Sequence, residues 1–272
     1  MRVLDLYITK VCNLNCEYCY VDVTKTEKWS FSAASIERIN LLKYDSIKFF
    51  WWEPLLKWKL IKEIIQLVKE KNKEISFTIV TNGVLLTEEK VNYALENDIH
   101  FVVSIHDGGR KHIHSNLSSL KKLGTQLWFY IIFIPDNFSL ALRDFLFFTK
   151  HWFKNFSFAP EIYANWDQEN IKAFTSILDI IYPYIVKYSI NIGGISAYDL
   201  KSINRWCEKT VIDDNWNFSL CNRFKKVTEN QNFSYKKIYD AFEEEIHFDS
   251  NPDRWFYICP IWWFLDHNEA WN

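Results

Sequence analysis

Through about the first 190 residues, short apolar, β-branched or aromatic runs alternate with segments whose apolar residues recur at helical spacing. This alternation constrains the fold more than any other property of the chain. Strands separated by helix-length crossovers run parallel, and a parallel sheet needs helices to cover it. Val3–Thr9, Ile47–Trp51, Ile75–Thr81, Phe101–Ile105, Leu127–Ile134 and Phe156–Tyr163 read as strands. Helices are expected at Ala33–Leu42, Leu56–Lys71, Glu88–Glu96, Arg110–Leu123, Leu140–Lys150 and Glu169–Tyr188, where Lys and Glu stand opposite the apolar positions. The pattern predicts an α/β fold of βα repeats. After Ser189 the periodicity weakens, Gly193 and Gly194 punctuate the chain, and Cys207, Cys221 and Cys259 are spread through a polar, Asn-rich tail. The expected organisation is a βα domain over residues 1–190 and a smaller module over 191–272.

Charge and hydropathy remove several classes of partner. The net charge is −2 and no block of basic residues occurs, so the electrostatic footprint of nucleic-acid binding is missing. The longest apolar runs, such as Trp128 to Ile134, are too short to span a bilayer. The N-terminus has no secretory signal pattern, so a cytoplasmic protein is expected. In that reduced compartment the six cysteines read as metal ligands or catalytic groups rather than disulfides.

Cys12, Cys16 and Cys19 stand directly after the first expected strand, on a loop at the strand's C-terminal end, where α/β barrels gather their catalytic groups. Three thiolates can hold three corners of a cubane iron–sulfur cluster and leave the fourth iron open to chelate a small molecule. Zinc wants a fourth ligand nearby, and residues 1–45 contain no histidine. Three buried cysteines grouped by chance are the plain alternative.

The Cys-x3-Cys-x2-Cys spacing resembles the signature of the radical S-adenosylmethionine (radical SAM) superfamily. That resemblance implies a partial (β/α)6 TIM-type barrel, a [4Fe-4S] cluster on Cys12, Cys16 and Cys19, and S-adenosylmethionine chelated by the open iron. One electron, from a donor such as flavodoxin or ferredoxin, would cleave that cofactor to a 5′-deoxyadenosyl radical, which abstracts hydrogen from a substrate. Tyr18 matches the family's aromatic position near the adenine, an ordinary core tyrosine being the other reading. Glu53-Pro54 matches the end of the family's Gly-Gly-Glu-Pro stretch, which approaches the cofactor's amino group, but Trp51 and Trp52 stand where both glycines would be. Thr81-Asn82-Gly83 and Ser104 end two further strands as in relatives, and their polar groups are expected to face the cofactor pocket. His106, His112 and His114 lie nearby, but residues two apart on a helix share no face, and they read as surface residues.

In the tail, Cys207, Cys221 and Cys259 resemble ligands of the auxiliary iron–sulfur module called SPASM, or its shorter form twitch. Only three cysteines remain there, so one auxiliary cluster would need a fourth ligand, with His267 a candidate, or would keep an open iron. A zinc site and a set of buried structural thiols are the alternatives. Relatives with such tails mostly modify ribosomally made peptides, so a peptide or protein substrate is expected. The chain begins almost at the first strand, and a separate N-terminal domain for a peptide leader is not expected.

Composition bears on the two tryptophans before Glu53. The chain has six glycines and thirteen tryptophans; pooled, they make about 7%, the ordinary share of glycine alone. Trp216 also stands where the auxiliary module has glycine, and Trp262 and Trp263 form another adjacent pair. One reading is that the gene uses UGA for glycine at Trp51, Trp52, Trp216, Trp262 and Trp263. The other is that these are genuine tryptophans, in which case a catalytically silent iron–sulfur or zinc-binding protein, its cofactor pocket filled by Trp51 and Trp52, replaces the enzyme.

Overall fold

The computed structural model describes residues 2–16, 19, 31–50, 52–105, 107–161, 164, 167–193, 209–212 and 218–219. Its strands, in chain order, are β1 (Val3–Leu6), β2 (Ser46–Phe49), β3 (Ser76–Thr81), β4 (Ile99–Ile105), β5 (Leu127–Phe133), β6 (Asn155–Pro160), β7 (Asn191–Gly193), β8 (Lys209–Ile212) and β9 (Phe218–Ser219). The α-helices are α1 (Trp58–Lys71), α2 (Glu88–Asn97), α3 (Asp107–Ser115), α4 (Leu117–Lys122), α5 (Phe138–Lys150) and α6 (Gln168–Tyr188). All six expected strands are present within a few residues. The segment expected as a helix at Ala33–Leu42 is instead two 3-10 turns, Ala33–Arg38 and Leu41–Lys43. The Arg110–Leu123 helix is broken at Asn116, which turns its side-chain amide onto Leu86 O at 2.6 Å. Strands β7, β8 and β9 had no sequence signal; at three, four and two residues they are too short to show an alternation.

The chain divides into two units, Met1–Phe129 with Cys207–Lys225, and Tyr130–Trp206 with Lys226–Asn272. In the first, the strand order is β4-β3-β2-β1-β8-β9. All neighbours are parallel except the β8–β9 hairpin. The register aligns Leu4, Ile47, Phe77 and Ile99 in one row, and Leu6, Phe49, Ile79 and Phe101 in the next. All eight side chains are fully buried, each worth roughly 1.5–3 kcal/mol relative to exposure. On α1, Ile61, Ile64, Ile65 and Val68 recur at helical spacing and are buried as well. The alternate face of the sheet differs. It carries Asp5, Lys48, Thr78 and His100 in one register row, and Lys48, Thr78, His100 and Ser104 are only half-buried. A parallel sheet ordinarily buries both faces under apolar side chains, so a half-open polar face marks space for something else.

Asp5 is the exception on that face: it is 2% exposed and receives Lys48 Nζ at 3.1 Å, the ammonium lying 4.8 Å from the Phe50 ring centre. Asp98 after α2 and Ser189 after α6 end their helices in the left-handed conformation, which small polar residues tolerate.

The second unit is built on aromatic packing. Phe133 meets Phe174 at 4.9 Å and Phe158 at 5.5 Å, while Phe145 meets Phe156 at 5.1 Å, all edge to face. The parallel pairing of β6 with β7 begins at Asn155 and Asn191, whose side-chain amides bond to each other at 2.7 Å. No helix among the described residues is long and apolar enough to cross a membrane.

Candidate functional site

The thiol loop leaves β1 through Tyr7, Ile8 and Thr9, all buried. Burial fixes the exit. Phe50 N–H donates to Leu6 O at 3.2 Å and extends the β1–β2 pairing past the last regular residue. Thr9 Oγ1 then accepts from Val11 N–H at 3.2 Å, bending the chain away from the sheet. Cys12 and Cys16 are half-buried and Cys19 is exposed; none of the three is in a disulfide. Cys19 N–H donates to Cys16 O at 3.0 Å, which holds these two positions together on the loop.

Glu53 organises what stands beside the loop. Its side chain is completely buried. One carboxylate oxygen accepts from Leu55 N–H at 2.9 Å and from Thr81 Oγ1 at 2.8 Å, and the other accepts from Asn82 N–H at 2.8 Å. Its backbone N–H donates to Val11 O at 3.2 Å. One residue thus ties together the thiol loop, the end of β2, the turn before α1 and the end of β3. Burial pushes its carboxyl above the usual range, opposed by the three hydrogen bonds. Because protein donors take up the carboxylate, Glu53 serves as a brace in this geometry, and groups reaching a ligand from this stretch would be main-chain ones.

Asn82 continues the connection. Its Nδ2 donates to Asn13 Oδ1 at 2.7 Å and lies 3.8 Å from Cys12 Sγ, while its Oδ1 accepts from Val84 N–H at 3.0 Å. Leu14 N–H points at the same sulfur from 3.5 Å. Burial pushes the Cys12 thiol up, and the negative charges of Glu53 and Cys19 add to this; the Leu14 and Asn82 donors pull it down. Thr81 is satisfied twice, donating to Glu53 and accepting from Gly83 N–H at 3.0 Å. Gly83 has φ +76°, and a Cβ there would come within 3.0 Å of Ile113 and Val103, so the turn leaving β3 requires glycine.

The first unit therefore brings together Cys12, Glu53, Thr81 and Asn82, all expected from sequence, and adds Thr9, Val11 and Asn13, which carried no motif. Ser104 lies on the half-open face of β4, one residue past Val103, the register partner of Thr81. Trp52 has φ +47° and meets Tyr7 edge to face at 6.4 Å. His112 is exposed; His114, read as a surface residue, is half-buried. Tyr18, Trp51, His106, Cys207, Trp216, Cys221, Cys259, Trp262, Trp263 and His267 lie outside the described residues.

Among the described residues, no three Cys, His, Asp or Glu side chains already stand together as a metal site. The donor set still fits an iron–sulfur ligand loop: three cysteines within eight positions, none in a disulfide, and two N–H groups directed at Cys12 Sγ, the kind of outer contact that steadies a thiolate ligand.

Comparison with known proteins gives a consistent picture. Residues 6–125 match the Radical SAM superfamily. The chain is 23% identical over 186 residues to the radical SAM cyclopropyl synthase TigE of Paramaledivibacter caminithermalis, covering 56% of this chain and 39% of that protein. It is 34% identical over 110 residues to an uncharacterized protein of Methanocaldococcus jannaschii, covering 39% of this chain and 38% of the other. The chain thus spans about two fifths of the length of these curated relatives. Among solved structures, anSMEcpe with bound AdoMet and the Kp18Cys peptide superposes with a TM-score of 0.66 at 14% identity, covering 81% of this chain and 74% of that one. SuiB of Streptococcus suis, bound to S-adenosylmethionine, superposes with a TM-score of 0.58 at 18% identity, covering 88% of this chain and 63% of that one. These likenesses show the fold, an α/β parallel-sheet domain of the TIM-type class.

Proposed function

We propose, from the premise that residues 6–125 are a radical SAM domain, that this chain is a radical SAM enzyme acting on a peptide or protein. The observation that carries the reading is the bracing of the Cys12 loop by Glu53 and Asn82 against the ends of β2 and β3. Cys12, Cys16 and Cys19 would hold a [4Fe-4S] cluster. When bound, that cluster would supply the electron for reductive cleavage of S-adenosylmethionine, and with it the radical chemistry that removes hydrogen from a substrate. The chain's own part is positional. Leu14 N–H and the Asn82 amide hold the Cys12 sulfur. Glu53 fixes the loop against the sheet, and Thr81 holds the turn at Gly83 through which β3 leaves it.

The half-open face of the sheet, with Lys48, Thr78 and Ser104, offers polar groups to a substrate. A peptide is favoured because the chain shares its fold with anSMEcpe, which has been captured with one. The remaining assignments belong to the same proposal: a barrel over residues 1–190, a twitch- or SPASM-like module over 191–272 holding an auxiliary cluster on Cys207, Cys221 and Cys259, reduction by flavodoxin or ferredoxin, and a cytoplasmic location. The test is anaerobic reconstitution with iron and sulfide, then reduction in the presence of S-adenosylmethionine. Formation of 5′-deoxyadenosine is expected. Its absence from protein carrying an intact four-iron cluster overturns the enzymatic reading.

A further inference from the structure

We infer that residues 52 and 152 are glycine in the protein as its own cells make it, the codons for both being UGA read as glycine. Among the described residues, four that are not glycine have positive φ, and two of them are Trp52 (φ +47°) and Trp152 (φ +72°). The other two, Asp98 and Ser189, are small and polar. A bulky side chain is a genuine outlier in this region, because its Cβ crowds the backbone, whereas glycine enters it freely.

At residue 152 the local structure names the residue it wants. Helix α5 ends at Lys150, with His151 as its cap. Trp152 N–H then donates to Thr149 O at 3.0 Å and Phe153 N–H reaches back to Phe148 O at 3.1 Å. This pair of bonds is the Schellman ending, in which the residue after the cap is left-handed and is usually glycine. The apolar contact that accompanies the motif is present too, with Phe148 and Phe153 edge to face at 5.9 Å. Every element of a glycine-terminated helix is in place except the glycine. The indole gains little in exchange, since Trp152 is 76% exposed.

Trp52 has the same sign of φ in a different setting, between β2 and the turn before α1 and one residue before the buried Glu53. The other two tryptophans among the described residues show no such conflict: Trp58 is helical at φ −53° and Trp128 lies in β5. Among the described residues the conflict is therefore confined to positions 52 and 152, as reassignment of some codons and not others would make it. Residue 152 lies in no motif, so the backbone at that position supports the inference independently of any resemblance.

The test has two arms, neither of which reads activity. The first is the codon at each position together with the peptide masses of the protein purified from its own cells. UGA codons with glycine masses are expected, and UGG or a tryptophan mass at either position overturns the inference. The second compares Trp152→Gly and Trp152→Ala, each made in the tryptophan-bearing chain. Glycine alone relieves the left-handed residue, so W152G is expected to melt about 2–4 °C higher, and W152A is expected to show no such gain. A W152G protein no more stable than W152A overturns the backbone argument.

Discussion

Thr81 Oγ1 donates to Glu53 Oε1 across 2.8 Å, joining residues 28 positions apart in the chain. The same hydroxyl accepts from Gly83 N–H, so one buried oxygen serves both the brace and the turn. Thr81→Val keeps the shape and removes both bonds, leaving a buried carboxylate oxygen and a buried N–H short of partners. A loss of about 1–3 kcal/mol is expected, read as a lower urea midpoint at unchanged slope. Thr81→Ser should stay close to the parent; a valine variant as stable as the serine one would contradict this.

Glu53 gives the fold a pH dependence of definite sign. Burial raises its carboxyl pKa in the native state despite the bonds from Asn82, Leu55 and Thr81, so the native protein holds that proton more tightly than the unfolded chain. The stability this contributes is complete below the unfolded value of about 4.3 and is lost as pH rises through the native value. Glu53→Gln removes the titration. Unfolding free energies measured at a series of pH values should fall less steeply for the variant over that window. Parallel curves for the two proteins would refute the claim.

Asn82 tunes the Cys12 sulfur. Asn82→Asp replaces a donor 3.8 Å from that sulfur with a negative charge, which disfavours the thiolate. Alkylation of Cys12 in cluster-free protein, followed by peptide mass, should slow severalfold at neutral pH. Unchanged or faster labelling would count against the contact.

The pair on β1 and β2 tests the half-open face. Lys48→Met leaves Asp5 buried without its cation and is expected to cost about 3 kcal/mol. Combining it with Asp5→Asn should recover much of that loss. Denaturant midpoints of the parent, both single variants and the double variant give the coupling, and additive effects would mean that the pair is incidental.

On the proposed function, each of Cys12→Ala, Cys16→Ala and Cys19→Ala should lower bound iron and abolish 5′-deoxyadenosine formation. A single variant with full iron content and full activity would remove that residue from the ligand set.

The fold was legible where periodicity is long. The helices over Leu56–Lys71 and Glu169–Tyr188 recur within two residues of their expected bounds, because buried apolar positions at helical spacing leave no other solution. The three-residue β7 was not legible, since it holds its place through the Asn155–Asn191 bond rather than through pattern. In the site, Glu53 was found by its place in a motif, but its role as a brace could not be read, because the Thr81 and Asn82 donors arrive from a distant strand end. Trp152 gave no motif signal at all. The sign available was a helix ending at Lys150-His151 with no glycine after it, and that becomes informative only once the two capping bonds are known.

Parallel pairing of β1 with β8 on one side and β2 on the other has a consequence for the order in which the molecule is made. Residues 209–212, the second neighbour of residues 3–6, follow them from the ribosome only after roughly 10–40 s at ordinary synthesis rates of about 5–20 residues per second. During that interval one edge of the strand that leads into the thiol loop has no native partner. On the cluster assignment proposed above, delivery of iron and sulfide to Cys12, Cys16 and Cys19 is therefore best timed after residues 209–212 have been made. Cells that supply clusters late, or under anaerobic conditions throughout, should yield the larger fraction of loaded protein.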